Sequence, residues 1–180
     1  MNITRQKTEY QGFEQGPIRP PSEASSLLIR VTRNCPWNRC TFCPVYKGAS
    51  FSLRPVDHVM KDIDMVHHHL TLLKDQGGAS GTIDPNQLRR GLDHSEKMAM
   101  HAAANWIRSG MRSIFLQDAN SLIIKPDNLI AILQHLKKRF PQVERITSYA
   151  RSHPICRIAD DKLAAMRQSG LNRIHIGMES

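Results

Sequence analysis

Four short apolar runs alternating with helical stripes constrain what this chain can fold into. Residues 26–32 (SLLIRVT), 113–117 (SIFLQ), 145–149 (RITSY) and 173–177 (RIHIG) are short and partly β-branched, the pattern of buried strands. Between the first two, Val56, Val59, Met60, Ile63, Val66, Leu70 and Leu73 recur at spacings of three and four, which makes one apolar helix stripe. Pro55 opens that helix where its missing N–H costs nothing. Ala99, Ala102, Ala103, Trp106 and Ile107 form a second stripe, with Ser95 as its expected cap and Gly110 at its end. Leu129, Ile132, Leu133, Leu136 and Phe140 follow Pro126 and Asp127, and Leu163 and Met166 follow Asp160 or Asp161. Two helix-to-strand junctions repeat a pattern, Ser109-Gly110 and Ser169-Gly170, each entering a strand within three or four residues. Such alternation calls for parallel strands joined by right-handed crossovers, an α/β fold built on a (βα) repeat. An open sheet and a partial TIM-like barrel fit the pattern equally.

Residues 1–25 are polar and carry Pro17, Pro20 and Pro21, so they read as an N-terminal arm ahead of a domain at 26–180. Residues 76–94 hold several glycines and a proline and read as a loop or insertion. The sequence stops at Glu179-Ser180, directly after the fourth strand, with no helix to cover it. A parallel sheet needs its faces covered and its edges managed, so the expectation is the N-terminal part of a longer domain, cut after strand four.

A chain of 180 residues with 40% hydrophobic and 23% charged residues is ordinary globular material. That balance excludes a disordered polyelectrolyte, a collagen-like chain and a coiled coil. No apolar run approaches the roughly 20 residues that cross a bilayer, and the N-terminus lacks a secretory signal. A soluble cytoplasmic protein with no membrane partner is expected. The 25 Lys+Arg against 16 Asp+Glu give a net charge of +9. The cations are scattered, and Lys137-Lys138-Arg139 falls in a last helical turn, where it complements the dipole. This charge is compatible with nucleic acid but does not argue for it. His67-His68-His69 reads as a helix face, because successive helical residues point in different directions. Trp106 belongs to a core stripe, Trp37 and Tyr46 to loop packing, and His175 to the strand face opposite Ile174 and Ile176.

Three of the four cysteines, Cys35, Cys40 and Cys43, form a C-x4-C-x2-C run directly after the first strand, while Cys156 lies far down the chain. Thiols this close point to a metal or cluster site rather than a disulfide framework. Three thiolates suit zinc, completed by His or another Cys. They also suit a cubane iron–sulfur cluster whose fourth iron stays open, or is closed by Cys156. There is no second C-x2-C pair of the zinc-ribbon kind. The loop also sits at the C-terminal end of a strand, where α/β folds gather their chemistry. Spacing and position therefore favour the cluster. A zinc-binding or closed-cluster module without catalysis, possibly nucleic-acid associated, is the alternative.

The cysteine loop resembles that of the radical S-adenosylmethionine (SAM) superfamily. The familiar spacing there is C-x3-C-x2-C with an aromatic before the last cysteine; Phe42 holds that place here, and the first gap has four residues. Residues 27–32 before the loop, 44–48 after it, and 147–151 and 174–180 at later strand ends also look similar, so the resemblance spans about 25–180. It implies a [4Fe–4S] cluster held by Cys35, Cys40 and Cys43, with the open iron chelating the amino and carboxylate groups of SAM. A reductant such as flavodoxin or ferredoxin would supply one electron. That electron would cleave the S–C5′ bond to methionine and a 5′-deoxyadenosyl radical, which takes hydrogen from a substrate the sequence does not identify. Phe42 would lie near the adenine. Many members carry a Gly-Gly-Glu-like turn after strand two, whereas this chain has Gln117-Asp118-Ala119-Asn120; the Asp118 carboxylate suits an ammonium. Glu179 and Ser180 match positions that contact the ribose or methionine of SAM, and Arg151 is a candidate for its carboxylate. The 180 residues alone are expected to turn over weakly or not at all.

Overall fold

The computed structural model describes residues 9–78 and 91–177. Its strands are β1 (Leu27–Arg30), β2 (Thr32–Arg33), β3 (Ser52–Leu53), β4 (Ser113–Gln117), β5 (Arg145–Arg151) and β6 (Leu171–Gly177). Its helices are α1 (Val56–Gly78), α2 (His94–Arg108), α3 (Pro126–Arg139), the single turn α4 (Ser152–Ile155) and α5 (Asp160–Gln168), with short 3-10 turns at Pro21–Glu23 and Ser121–Ile123. The four long strands form one parallel sheet in the order β1-β4-β5-β6, so β1 and β6 are its edges and the sheet is open. The α/β class and the parallel pairing agree with the alternation in the sequence. Helix α1 packs against α2 and α3, and α3 packs against α5.

One face of the sheet meets these helices in a single core. Ile29, Ile114, Leu116 and Ile146 face Val59, Ile63, Val66, Ala103, Leu129, Leu133 and Leu136, all essentially excluded from water. Each large side chain so buried contributes roughly 1.5–3 kcal/mol. The stripes read from sequence are therefore the contact faces, except that Met65 rather than Met60 packs against this core. Trp106 is anchored twice: its Nε1–H donates to the Ser113 carbonyl at 2.9 Å, and its ring meets Phe140 edge-on at 5.1 Å. Gly110 and Gly170 both adopt left-handed backbone, φ 81° and 111°, which turns each helix into the next strand. Asn172 fills the register shift between β5 and β6, accepting from the Ile146 N–H at 3.0 Å and donating to the Glu144 carbonyl at 2.8 Å.

Three local expectations change. The first run is not one strand: β1 ends at Arg30, and Thr32–Arg33 turns away to pair antiparallel with Ser52–Leu53. The cap of α2 is Asp93, not Ser95. Asp93 accepts from the Glu96 N–H and its own N–H donates to the Glu96 carboxylate, a D-x-x-E capping box. Ser95 instead backs Gly12, whose Cβ would sit 2.1 Å from the Ser95 Oγ. The arm, finally, is docked. Phe13 and Glu23 are buried, and the Gln117 side chain accepts from the Gly16 N–H and donates to the Gly16 and Ile18 carbonyls. The part of the expected insertion at 79–90 lies outside the described residues. Among those described, no helix is long and apolar enough to cross a membrane.

His69 gives this packing a pH dependence. It is 3% exposed on α1, and its Nε2 has no partner among the described residues. Burial lowers its pKa, His68 lowers it further, and Glu96 opposes only in part. The folded protein therefore binds fewer protons here than the unfolded chain, so stability falls as the pH drops through the ordinary histidine range near 6.5. The urea midpoint is expected to fall between pH 7.5 and 5.5. His69→Leu should flatten that fall, as urea titrations at the two pH values will report.

Candidate functional site: the cysteine loop

Between Glu23 and Asp57 the sequence carries Arg30, Arg33, Arg39, Lys47 and Arg54 and no carboxylate. Three of these cations lie at the root of the cysteine loop, and their counter-charges must come from elsewhere in the chain. Arg30, at the end of β1, clasps Asp118 just past β4, with Nε and Nη2 at 2.9 and 2.7 Å from Oδ2. Glu14 of the arm accepts from Arg30 and Arg33 at 3.1 and 2.6 Å and forms an ion pair with Arg54 at 2.7 Å. Arg54 also reaches Asp62 of α1 at 2.6 Å and the Arg30 carbonyl at 2.8 Å. Tyr10 donates to the other oxygen of Asp62 at 2.8 Å. Burial pushes the Glu14 carboxyl up, but the three guanidinium groups outweigh it and hold it below the usual carboxylate range. For Asp62 burial wins, and its pKa lies above the usual value despite Arg54 and Tyr10.

Asp118 is the hub. Its side chain is fully buried, and it also accepts from the Asn34 backbone N–H at 2.9 Å and from the Tyr46 hydroxyl at 2.8 Å. Burial, followed by the Asp118 charge, raises the Tyr46 phenol, which stays protonated and donates. A Cβ at Gly16 would stand 2.1 Å from Asp118 Oδ1, so the close approach of the arm requires glycine there. Both ends of the loop are thus tied to one carboxylate, Asn34 before the cysteines and Tyr46 after them. The β2–β3 pairing closes the base. Within the loop, Asn34 and Asn38 take left-handed backbone and donate across to the Ser50 and Ala49 carbonyls at 2.6 and 3.2 Å.

None of the four cysteines is in a disulfide: Cys40 is buried, Cys35 and Cys43 are half-buried, and Cys156 is exposed directly after α4. The Asn38 N–H points at the Cys35 Sγ at 3.5 Å. Among the described residues, no group of three or more His, Cys, Asp or Glu is arranged to hold a metal. The donor set fits a three-thiolate cluster in chemistry, with three cysteines outside any disulfide on one short loop, but the thiols are not gathered as ligands. Phe42 is 67% exposed at the loop tip. The Arg151 guanidinium lies 4.2 Å from the centroid of the Trp37 ring. Glu179 and Ser180 lie outside the described residues.

Asp118 has both oxygens engaged by protein donors, so an incoming ammonium would compete with Arg30 or Tyr46. Open hydrogen-bonding capacity lies two residues on. Asn120 is fully buried, and neither amide atom has a partner among the described residues. Leaving such groups unpaired costs about 1–3 kcal/mol each. Motif reasoning singled out the cysteines and Asp118 but not Glu14, Arg30, Tyr46 or Asn120. The usable signal was the acid-free stretch with its run of cations, which includes Arg30 and calls for a carboxylate from elsewhere.

Comparison of the chain with protein-family models, with curated proteins and with solved structures finds no match.

Removing the hub leaves a buried guanidinium with half its neutralisation, so Asp118→Ala is expected to cost on the order of 3 kcal/mol. Tyr46→Phe, which deletes one bond, should cost about 1 kcal/mol. Urea unfolding of the two variants tests the ranking. Equal stability of Asp118→Ala and wild type would remove Asp118 from the role of anchor.

Proposed function

We propose that this chain is part of a radical SAM core, an iron–sulfur enzyme domain whose four parallel strands belong to a partial barrel. The observation that carries the reading is a three-cysteine loop rising from the C-terminal end of the first strand, with both its limbs fixed to one buried carboxylate. Cys35, Cys40 and Cys43 would hold a [4Fe–4S] cluster. The chemistry such a cluster supplies with SAM is one-electron reductive cleavage of the sulfonium.

The work of the chain itself is positional. Asp118, Arg30 and Tyr46 keep the loop root rigid, so that only the tip has to adjust when the thiols converge. Asn120, with an unpaired donor and acceptor, suits a polar group of the bound cofactor better than Asp118 does. Phe42 offers an apolar face for the adenine. Electrons would come from a small one-electron carrier such as flavodoxin or ferredoxin. The substrate is unassigned.

Anaerobic reconstitution followed by EPR of the reduced protein, with and without SAM, tests the reading. A [4Fe–4S]⁺ signal that changes shape on adding SAM is expected. Cys35→Ser, Cys40→Ser and Cys43→Ser should each lose it, and Cys156→Ser should keep it. Zinc retained in place of a cluster, or loss of the cluster in Cys156→Ser, would overturn the proposal.

A further inference from the structure

Trp37 lies inside the first cysteine gap, between Cys35 and Cys40. Two guanidinium groups lie over its ring, Arg39 at 5.1 Å and Arg151 at 4.2 Å from the centroid. Arg39 belongs to the same loop. Arg151 does not: it ends β5, two strands across the sheet from β1, where the loop departs. The ring is 37% exposed, so this is a surface cation–π contact, and its effect is modest and local to the loop. The ion pairs of the loop root bind it to the arm, α1 and the end of β4, so the stack on Arg151 ties the loop to a different strand.

We propose that Arg151 and Trp37 form a latch that holds the cysteine loop against the C-terminal end of β5 and sets the spacing of Cys35 and Cys40. Arg151 is then a positioning residue, acting through Trp37 on the two thiols that flank it. Arginine suits the task because its planar guanidinium stacks on an aromatic face while keeping its charge. The four-residue first gap gives the chain more slack than a three-residue gap, and pinning the ring inside it removes that slack. Fewer conformations then remain to be lost when the thiols converge. The contact stands on its own geometry; its consequence for a metal centre rests on the reading of the loop as a cluster site.

Two measurements separate these parts. The chain has two tryptophans, Trp37 and Trp106, so protein labelled with 5-fluorotryptophan gives two fluorine resonances, assigned by Trp37→Phe. Arg151→Met is expected to shift the Trp37 resonance and leave that of Trp106 in place. After anaerobic reconstitution, Arg151→Met and Trp37→Leu should release iron to a chelator about three- to tenfold faster than wild type. The double variant should be no faster than either single one. Trp37→Phe, which keeps an aromatic face, should stay close to wild type. An unmoved Trp37 resonance in Arg151→Met, or additive rates in the double variant, would overturn the latch. If the wild-type protein takes up no cluster, the cluster reading fails, and the fluorine experiment still decides the contact.

Discussion

A loop that brings cations and no anions into a partly buried site has to borrow its neutralisation, and this necessity organises the molecule around the cysteines. Arg30, Arg33 and Arg54 would each be costly to bury unpaired, since an isolated charge taken out of water loses several kcal/mol. Their partners come from three separate places: Glu14 on the arm, Asp62 on α1 and Asp118 at the end of β4. Every one of those bonds is also a tertiary tie. The arm is held down because Glu14 serves three arginines, and the first turns of α1 are fixed against the sheet because Asp62 faces Arg54. Charge balance, rather than apolar burial, fastens the root of the cysteine loop to the ends of β1 and β4.

Asp118 shows how one carboxylate can serve two structural duties. Oδ2 faces Arg30 and the Asn34 N–H, and Oδ1 faces Tyr46. The first limb of the loop is thereby bonded to one oxygen and the second limb to the other. The same economy explains the glycine at position 16, where the arm passes too close to Oδ1 for any side chain.

The parts of this arrangement that were legible in the sequence are those with a period. Helices α1 and α3 and strand β4 follow from spacing alone, because burial on one face imposes 3.6 and burial on both faces imposes a continuous apolar run. Strand β1 was over-read, since Val31 and Thr32 continue its apolar, β-branched character while the backbone already turns toward β3. The D-x-x-E box at Asp93 was present in the sequence and passed over in favour of Ser95. The charged root was legible only as an imbalance: the acid-free stretch says that partners are needed, but their identity depends on which distant segments the fold brings near. Glu14 lies in a polar, proline-bearing arm that offers no periodic signal at all. Asn120 is equally hidden in the sequence, because whether a buried amide finds polar partners is decided only by the fold.

The loop therefore combines two kinds of order. Its root is over-determined, with buried ion pairs, a two-residue strand pairing and asparagine cross-links between limbs. Its tip carries exposed Phe42 and Val45 beside thiols that do not yet stand as a ligand group. On the proposed reading of the loop as a cluster site, this division is an advantage. Rigidity at the root shortens the segment whose freedom must be surrendered, and the closure cost falls with the length left free. Binding then supplies the last step of ordering, as metal and thiolate commonly do when the site is not preformed. An architecture in which everything except the ligands is fixed is the one expected of a loop that has to assemble its centre late.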